Sequence, residues 1–273
     1  MKKIVCVIGP TASGKTAKAI ALAKERNGEV ISVDSRQVYR MLDIGSEKIT
    51  PEEMQGIPHH LIDIRDPNEV YSAGEFVKDA TRLIDEITER GKLPILAGGT
   101  HFYFDALLFG LPEAEVNEEK RKEYEKLSEE ELFKRVQEQD PERAEELDPR
   151  NKRRLIRALE LIDAYGKVPK REYRASYDIE WHVILPETEE LRKRISEREA
   201  LKFPRGLIEE VKKVREHVGD ERLNELGLEY RIVGEYLRGE RDEESLLPAL
   251  NSKLYQYARR QVAWIRKLQE HIN

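Results

Sequence analysis

Short runs of apolar residues alternate along the chain with longer stretches in which apolar residues recur every three or four positions. Four short runs predict buried strands, namely Ile4–Ile8, Val30–Val33, Leu93–Ala97 and Trp181–Leu185. The periodic stretches predict helices over residues 17–24, 73–90, 102–108, 191–200, 207–218 and 252–272. Strands that alternate with helices are typical of an α/β domain, in which a parallel sheet is flanked by helices.

The pattern changes between residues 113 and 177, where Glu, Lys and Arg dominate and apolar residues are sparse. We predict a small all-helical domain over 113–177, inserted into a larger core made of residues 1–112 and 178–273. A basic stretch, Arg150–Arg157, begins the last helix of this insertion. Basic residues on one helix face can bind the phosphates of a nucleic acid. They can equally form a solvated face paired with carboxylates, so both interpretations stay open.

A glycine-rich stretch lies between the first predicted strand and the first predicted helix. It reads Gly9, Pro10, Thr11, Ala12, Ser13, Gly14, Lys15 and Thr16, which is the G-x-x-x-x-G-K-[ST] spacing of a phosphate-binding loop. Backbone N–H groups can turn inward around an anion there, and the following helix adds its positive dipole end. Lys15 would reach the terminal phosphates, and the Thr16 hydroxyl would bind Mg²⁺. The spacing alone is that of an ATP-binding motif, but a loop of this kind can bind any polyphosphate or diphosphate.

Two further turns follow predicted strands. Asp34 comes directly after Val30–Val33, and residues at the carboxyl ends of parallel strands line the ligand crevice of an α/β sheet. A turn or helix-capping role would also explain an Asp there. Leu93–Ala97 ends in Gly98, Gly99 and Thr100, where a nucleotide triphosphatase usually has an Asp for Mg²⁺. Thr100 could contact a diphosphate oxygen, and an ordinary glycine turn is the alternative.

Composition restricts the class of protein. The chain has 273 residues, a net charge of −6 and one cysteine, Cys6, inside the first apolar run. An internal disulfide is therefore excluded and a zinc site is disfavoured. No stretch is apolar over the length of a membrane span, and no signal peptide is recognised, so we expect no membrane contact and a cytoplasmic protein. The negative net charge argues against a uniformly basic nucleic-acid binder but allows a local basic patch.

Beyond the phosphate loop, several short motifs follow one another in the order found in one family. They are Ile31–Ser35, Asp43–Gly45, His60–Asp63, Tyr71–Ala73, Gly98–Thr100 with Tyr103, Arg157–Glu160, and Arg260–Gln261 with Trp264. With these motifs the chain closely resembles bacterial tRNA dimethylallyltransferases over nearly its whole length. It departs from the family pattern after Arg231, where Val233–Tyr236 stands, and at Leu254 and Tyr255, where the family often has Thr and Arg.

The resemblance implies a P-loop nucleotide-kinase-like fold and a prenyl transfer to tRNA. A dimethylallyl group would move from dimethylallyl diphosphate to the exocyclic amine of the adenosine 3′-adjacent to the anticodon, with release of diphosphate. Mg²⁺ is the implied cofactor, and the anticodon stem-loop of tRNA is the implied partner. The target base would be flipped out of its stack, as chemistry on a stacked base requires. We expect a monomer.

The same resemblance implies the site residues. The catalytic set would be Asp34 as general base, Thr100 at the leaving diphosphate, Lys15, and Arg231 near the diphosphate. The tRNA contacts would be Asp34, Ser35, Arg36, Gln37, Thr100, Arg121, Arg153, Arg154, Leu155, Ile156 and Arg157.

Three other functions use some of the same features. A small-molecule kinase or nucleotide triphosphatase would use the same loop. A non-catalytic RNA-binding module would use the basic helices. A prenyltransferase for free adenylate would share the chemistry, although a free nucleotide does not need the remote phosphate contacts that Arg153–Arg157 would provide.

Overall fold

The computed structural model describes residues 1–112, 117–170 and 176–272, without the side chains of the last two. Internal contacts divide the chain into two compact units. Residues 1–108 and 174–273 form the core unit, and residues 109–173 form the helical unit. The helical unit covers most of the predicted insertion, whose predicted start at Glu113 lies outside the described residues. The exact domain bounds stay a prediction.

A parallel sheet forms the centre of the core unit. Its strands are β1 (Lys3–Ile8), β2 (Gly28–Val33), β3 (His59–His60), β4 (Leu93–Gly98) and β5 (Asp178–Val183). They lie in the order β3-β2-β4-β1-β5, and every neighbouring pair is parallel. The predicted strand runs are present, each extended or shifted by one to three residues at its ends. Since β2, β4 and β1 are adjacent, their carboxyl ends meet at one edge.

Helices make up most of the remaining structure. In chain order they are α1 (Lys15–Arg26), α2 (Pro51–Met54), α3 (Ala73–Glu89), α4 (His101–Phe109), α5 (Glu118–Lys126), α6 (Glu129–Gln139), α7 (Pro141–Glu145), α8 (Lys152–Tyr165), α9 (Thr188–Lys202), α10 (Leu207–Glu225), α11 (Leu228–Leu237) and α12 (Leu246–Ile272). The last helix begins six residues before its predicted start at Ser252, because Leu246 and Leu250 are also buried.

Sequence signals explain how the longer helices begin and which faces they bury. At α3 the Ser72 side chain accepts from the Glu75 N–H and Glu75 binds back to the Ser72 backbone, which is a capping box. The apolar side chains of α3 that recur at helical spacing are all buried. Beneath α1, Ala19, Leu22 and Ala23 pack against strand residues such as Val5 and Val30. These contacts hold α1, and therefore the loop before it, against the sheet.

Within the described residues, no helix is both long enough and apolar enough to cross a lipid bilayer.

Candidate functional site

Three turns meet at the carboxyl edge of the sheet. Ile8 of β1 and Val33 of β2 both pair with Gly98 of β4. An ideal Cβ at Gly98 would lie 2.1 Å from the Val33 carbonyl oxygen, so only glycine fits. Beyond the strands, the Ser35 N–H donates to Thr100 Oγ1 at 3.0 Å. The phosphate loop, the Asp34 turn and the Gly99–Thr100 turn are thereby brought together, as their positions after strands indicated.

The loop after β1 has the form of an anion cradle. Gly14 takes a left-handed conformation (φ 88°) directly before α1. Ser13 Oγ is buried, and it has no hydrogen-bond partner within the described residues. Lys15 Nζ donates to the Pro10 carbonyl at 2.7 Å, which folds the side chain back over the loop. A buried hydroxyl without a partner fits a site that receives a polar ligand.

Burial lowers the pKa of Lys15 to about 8, and the Arg198 guanidinium adds to this effect while the Asp34 carboxylate opposes it. Desolvation disfavours the charged ammonium in the free protein. A bound diphosphate would restore the charge, because an anion favours the protonated form.

Asp34 follows β2 and folds the turn after it. Its Oδ1 accepts hydrogen bonds from the N–H groups of Arg36 (2.8 Å) and Gln37 (3.2 Å). Asp34 Oδ2 receives no hydrogen bond from the described residues. Burial raises the pKa of the Tyr257 phenol of α12 to about 12, and the negative charge of the Asp34 carboxylate contributes to this rise. Tyr257 is therefore close enough to Asp34 for their charges to interact. The carboxylate is thus fixed through one oxygen, and the other remains for a donor.

Arg198 of α9 also reaches the phosphate loop, and sequence reasoning missed it. Its Nη2 donates to Thr11 Oγ1 at 2.8 Å, and its side chain is mostly buried. Arg198 stands in a helix that is rich in charged residues. One turn before it, Arg194 forms an ordinary surface ion pair with Glu190. No signal in the sequence distinguishes Arg198 from Arg194, because only the packing of α9 decides which one faces the loop.

A buried ionic network supports Arg198. Glu199 Oε1 accepts from Arg198 Nη2 at 3.3 Å, and Glu199 Oε2 lies 2.9 Å from Lys202 Nζ. Lys202 Nζ also binds Glu229 Oε1 (2.8 Å) and the Gly45 carbonyl (2.9 Å). Glu199 and Lys202 are fully buried. Burial raises the pKa of Glu199, which the ammonium of Lys202 opposes.

Arg231 makes no hydrogen bond or ion pair with the phosphate loop within the described residues. It lies on the exposed face of α11, while the next residues, Ile232 and Val233, are buried. Its side chain lines a surface groove with Glu235 and Arg241. Arg198, not Arg231, contacts the phosphate loop, through Thr11 Oγ1. The role predicted for Arg231 near the diphosphate stays a prediction.

The segment after Asp34 is held by its own contacts. Ser35, Arg36 and Gln37 are half-buried. Gln37 Nε2 donates to the Glu47 carbonyl at 3.0 Å, so its amide helps to fold the following loop. The backbone N–H groups of residues 43–45 all bind the Glu210 carboxylate of α10. The loop that follows the predicted tRNA-contact segment is therefore held in place by these hydrogen bonds.

The helical unit contains the other predicted tRNA contacts. Arg153 and Arg154 are exposed on the first turn of α8. Arg121 and Arg157 instead lie on either side of the buried Glu160 carboxylate, at 3.5 Å and 2.9 Å. Their side chains are less exposed than those of Arg153 and Arg154. The basic stretch thus combines a solvated part with a part that packs the unit.

Leu155 and Ile156 require a correction. Their side chains are 0% and 7% exposed and belong to the core of the helical unit, with Leu132 and Val136 of α6. A helix turns 100° per residue, so two members of a five-residue segment face inward. The side chains of Leu155 and Ile156 therefore pack the helical unit and do not form an exposed contact surface.

Thr16 lies exposed on the first turn of α1. Within the described part of the chain, no group of three or more His, Cys, Asp and Glu residues lies together as a metal site.

Comparison with known proteins identifies the family. The model of the IPP transferase family matches residues 37–268, which is most of the chain. The chain belongs to this family. Among its relatives, the tRNA dimethylallyltransferase of Bacillus mycoides (strain KBAB4) is 39% identical over 97% of this chain and 87% of its own length. That of Thermomicrobium roseum is 40% identical over 98% of this chain and 85% of its own length.

Solved IPP transferase structures share the fold. The full-length tRNA isopentenylpyrophosphate transferase of Bacillus halodurans superposes with a TM-score of 0.74 at 40% identity, covering 97% of this chain and 87% of that one. A eukaryotic dimethylallyltransferase acting on tRNA superposes with a TM-score of 0.83 at 29% identity, covering 97% and 70%. The predicted family and the predicted fold class, a P-loop kinase-like α/β sheet, are confirmed.

Proposed function

We propose that this protein transfers a dimethylallyl group from dimethylallyl diphosphate to the exocyclic amine of the adenosine 3′-adjacent to the anticodon of tRNA. The observation that carries the proposal is that a phosphate loop and the Asp34 carboxylate lie at the same edge of the sheet. One feature suits a diphosphate leaving group, and the other suits a proton acceptor. The names of the relatives supply the substrate class.

The reaction forms one bond and breaks one. The amine nitrogen of adenine bonds to the first carbon of the dimethylallyl group, and the bond from that carbon to the diphosphate oxygen breaks. Its electron pair leaves with the diphosphate, whose charge Lys15, Arg198 and the N–H groups of the loop stabilise. Asp34 Oδ2 accepts the amine proton. Thr100 Oγ1 holds the turn after Asp34 through the Ser35 N–H.

Mg²⁺ fits this site as an ion shared with the substrate. In phosphate sites it takes one or two protein oxygens together with phosphate oxygens and water. The exposed Thr16 hydroxyl on the first turn of α1 would be its protein ligand. When bound, the ion would neutralise part of the diphosphate charge. The buried Ser13 hydroxyl is a further polar group available in the cradle.

The proposed tRNA contacts come from residues of both units. In the core unit, Asp34–Gln37 would contact the anticodon loop near the target base. In the helical unit, the exposed Arg153 and Arg154 would bind backbone phosphates, with Arg121 and Arg157 less available because Glu160 engages them. A polymeric acceptor explains cations in both units better than a free nucleotide does.

Label transfer tests the proposal. Radiolabelled dimethylallyl diphosphate, Mg²⁺ and unmodified tRNA are incubated with wild type, Asp34→Asn and a control variant. The control is Asp178→Asn, because Asp178 lies at the amino end of β5, whereas Asp34 follows the carboxyl end of β2. We expect label on an anticodon-loop adenosine, about 10²- to 10⁴-fold slower with Asp34→Asn and unchanged with the control. Affinity for tRNA should largely persist in each variant, because the other proposed tRNA contacts remain in place.

Two results would contradict the proposal. Absence of label with wild type across several tRNAs, accompanied by ATP turnover with a small acceptor, would favour a kinase. Efficient labelling of free adenylate that outcompetes tRNA would favour the free-nucleotide transferase.

A further inference from the structure

The Gln261 side chain of α12 is buried between two turns of the site. It is 2% exposed, and both ends of its amide are hydrogen-bonded. Gln261 Oε1 accepts from the Thr11 N–H at 2.9 Å, and Gln261 Nε2 donates to the Gly99 carbonyl at 2.7 Å. A buried amide that lacked these partners would be costly. The Gln261 side chain thus links the phosphate loop to the Gly99–Thr100 turn.

The two turns that it joins are not joined by the sheet. The register of β1 and β4 ends at the pair Ile8 and Gly98. Thr11 and Gly99 lie beyond that pair, where the chains separate into the phosphate loop and the Gly99–Thr100 turn. The Gln261 amide continues the connection between them where the strand hydrogen bonds stop.

Each turn serves a different half of the proposed reaction. Thr11 Oγ1 accepts from Arg198 Nη2, on the side of the diphosphate. Thr100 Oγ1 accepts from the Ser35 N–H, on the side of Asp34 and the acceptor amine. A side chain that bridges Thr11 and Gly99 therefore sets the spacing between the group that leaves and the group that takes the proton.

Gly99 and Gln261 are matched to each other. An ideal Cβ at Gly99 would lie 2.5 Å from Gln261 Nε2, so a larger residue would displace the amide. Gly99 does not have a positive φ, so its backbone alone would accept alanine. The task also needs a donor at one end and an acceptor at the other, which a glutamine amide offers and a carboxylate does not.

We propose that Gln261 is a positioning residue, which aligns the donor loop with the acceptor turn without touching either substrate. This inference rests on the proposed function, because it assigns the two turns to the two substrates. Loss of the bridge leaves each half-site able to bind its own substrate and removes their alignment. Proximity and orientation supply much of the rate of a two-substrate reaction, so the loss falls on kcat.

Steady-state kinetics of Gln261→Ala provide the first test. We expect kcat to fall about 10- to 100-fold, with KM for dimethylallyl diphosphate and for tRNA each within about threefold of wild type. The control is Gln256→Ala, an exposed glutamine on the same helix, which should match wild type. A kcat within twofold of wild type, or a loss confined to KM for one substrate, would overturn the proposal.

A double-mutant cycle sharpens this test. Gly99→Ala alone should lower kcat by a similar factor, because its Cβ displaces the amide. In the Gln261→Ala background the same change should cost less than about twofold, since the clashing side chain is absent. Effects that multiply would mean that the two residues act separately and would contradict the bridge.

Amide hydrogen exchange separates failure of this inference from failure of the proposed function. Gln261→Ala should speed exchange in the phosphate loop, at the Thr11 N–H above all, while Gln256→Ala should not. Unchanged exchange would overturn the bridge whatever the enzyme catalyses. Faster exchange together with an inactive wild type would uphold the bridge and overturn the assigned reaction.

Discussion

The sheet edge and the helical unit both contain predicted functional residues, but they relate differently to the sequence. At the sheet edge, the loop Gly9–Thr16, Asp34 and Thr100 directly follow strands, and the structure brings them together. In the helical unit, the basic stretch of α8 divides into exposed Arg153 and Arg154 and buried Leu155 and Ile156. Residues that directly follow adjacent parallel strands lie at the same edge of the sheet, because the strands all end there. Neighbouring residues on a helix point in different directions, because the helix turns about 100° per residue.

The difference makes opposite predictions for substitutions. At the sheet edge, changes should alter catalysis and leave the fold. In the helical unit, neighbouring residues should divide between stability and tRNA affinity.

The largest effect is expected at Leu155. Because its side chain is fully buried in the helical unit, Leu155→Ala should lower the free energy of unfolding of that unit by about 2–5 kcal/mol. Arg154→Ala, at an exposed neighbouring position, should change it by less than about 0.5 kcal/mol. Chemical denaturation followed by circular dichroism measures both. Equal losses would mean that the two positions are not distinguished by burial.

Arg198 gives the next largest effect. Arg198→Ala should lower kcat/KM for dimethylallyl diphosphate about 100-fold, since a partly buried cation that contacts the loop is lost. Arg194→Ala, on the exposed side of α9, and Arg231→Ala should each stay within about threefold of wild type. Steady-state assays at saturating tRNA decide this. A large loss with Arg231→Ala would support the sequence-based assignment of the diphosphate arginine.

The pH dependence of donor use should report Lys15. The pKa of Lys15 is lowered to about 8 by burial, so the ammonium that binds diphosphate is lost above that pH in the free protein. We expect kcat/KM for dimethylallyl diphosphate to fall about tenfold per pH unit above this value. Lys15→Arg should be less active but flat over the same range, because a guanidinium stays protonated. A wild-type profile that is flat to pH 10 would contradict the lowered pKa.

The smallest effect is expected from the exposed cations of α8. Arg153→Ala and Arg154→Ala should each weaken tRNA binding a few-fold, to a similar extent for every tRNA, and reduce the salt dependence by about one charge. Use of dimethylallyl diphosphate should not change. Filter binding across a salt series measures this effect. An unchanged salt slope would mean that these arginines form only a solvated face.

The parts that were predictable share a local cause. The phosphate loop has a fixed spacing, and Asp34 and Gly98–Thr100 stand directly after apolar strands, so their place at one edge follows from chain topology. Arg198 could not be found this way. It resembles Arg194 in sequence, and the contact with Thr11 depends on how α9 packs. The exposed position of Arg231 on α11 depends in the same way on how its helix packs.

By itself, the sequence determined four of the strands, the longer helices of the core unit, the phosphate loop, the carboxylate after β2 and the family, because each depends on local periodicity or short-range spacing. Only the tertiary structure decided which cation reaches the loop, which residues of α8 are buried, and that Gln261 bridges Thr11 and Gly99. Those contacts join residues far apart in the chain, for example 250 positions between Thr11 and Gln261. Helix rotation and packing fix them, and neither is encoded in a local pattern.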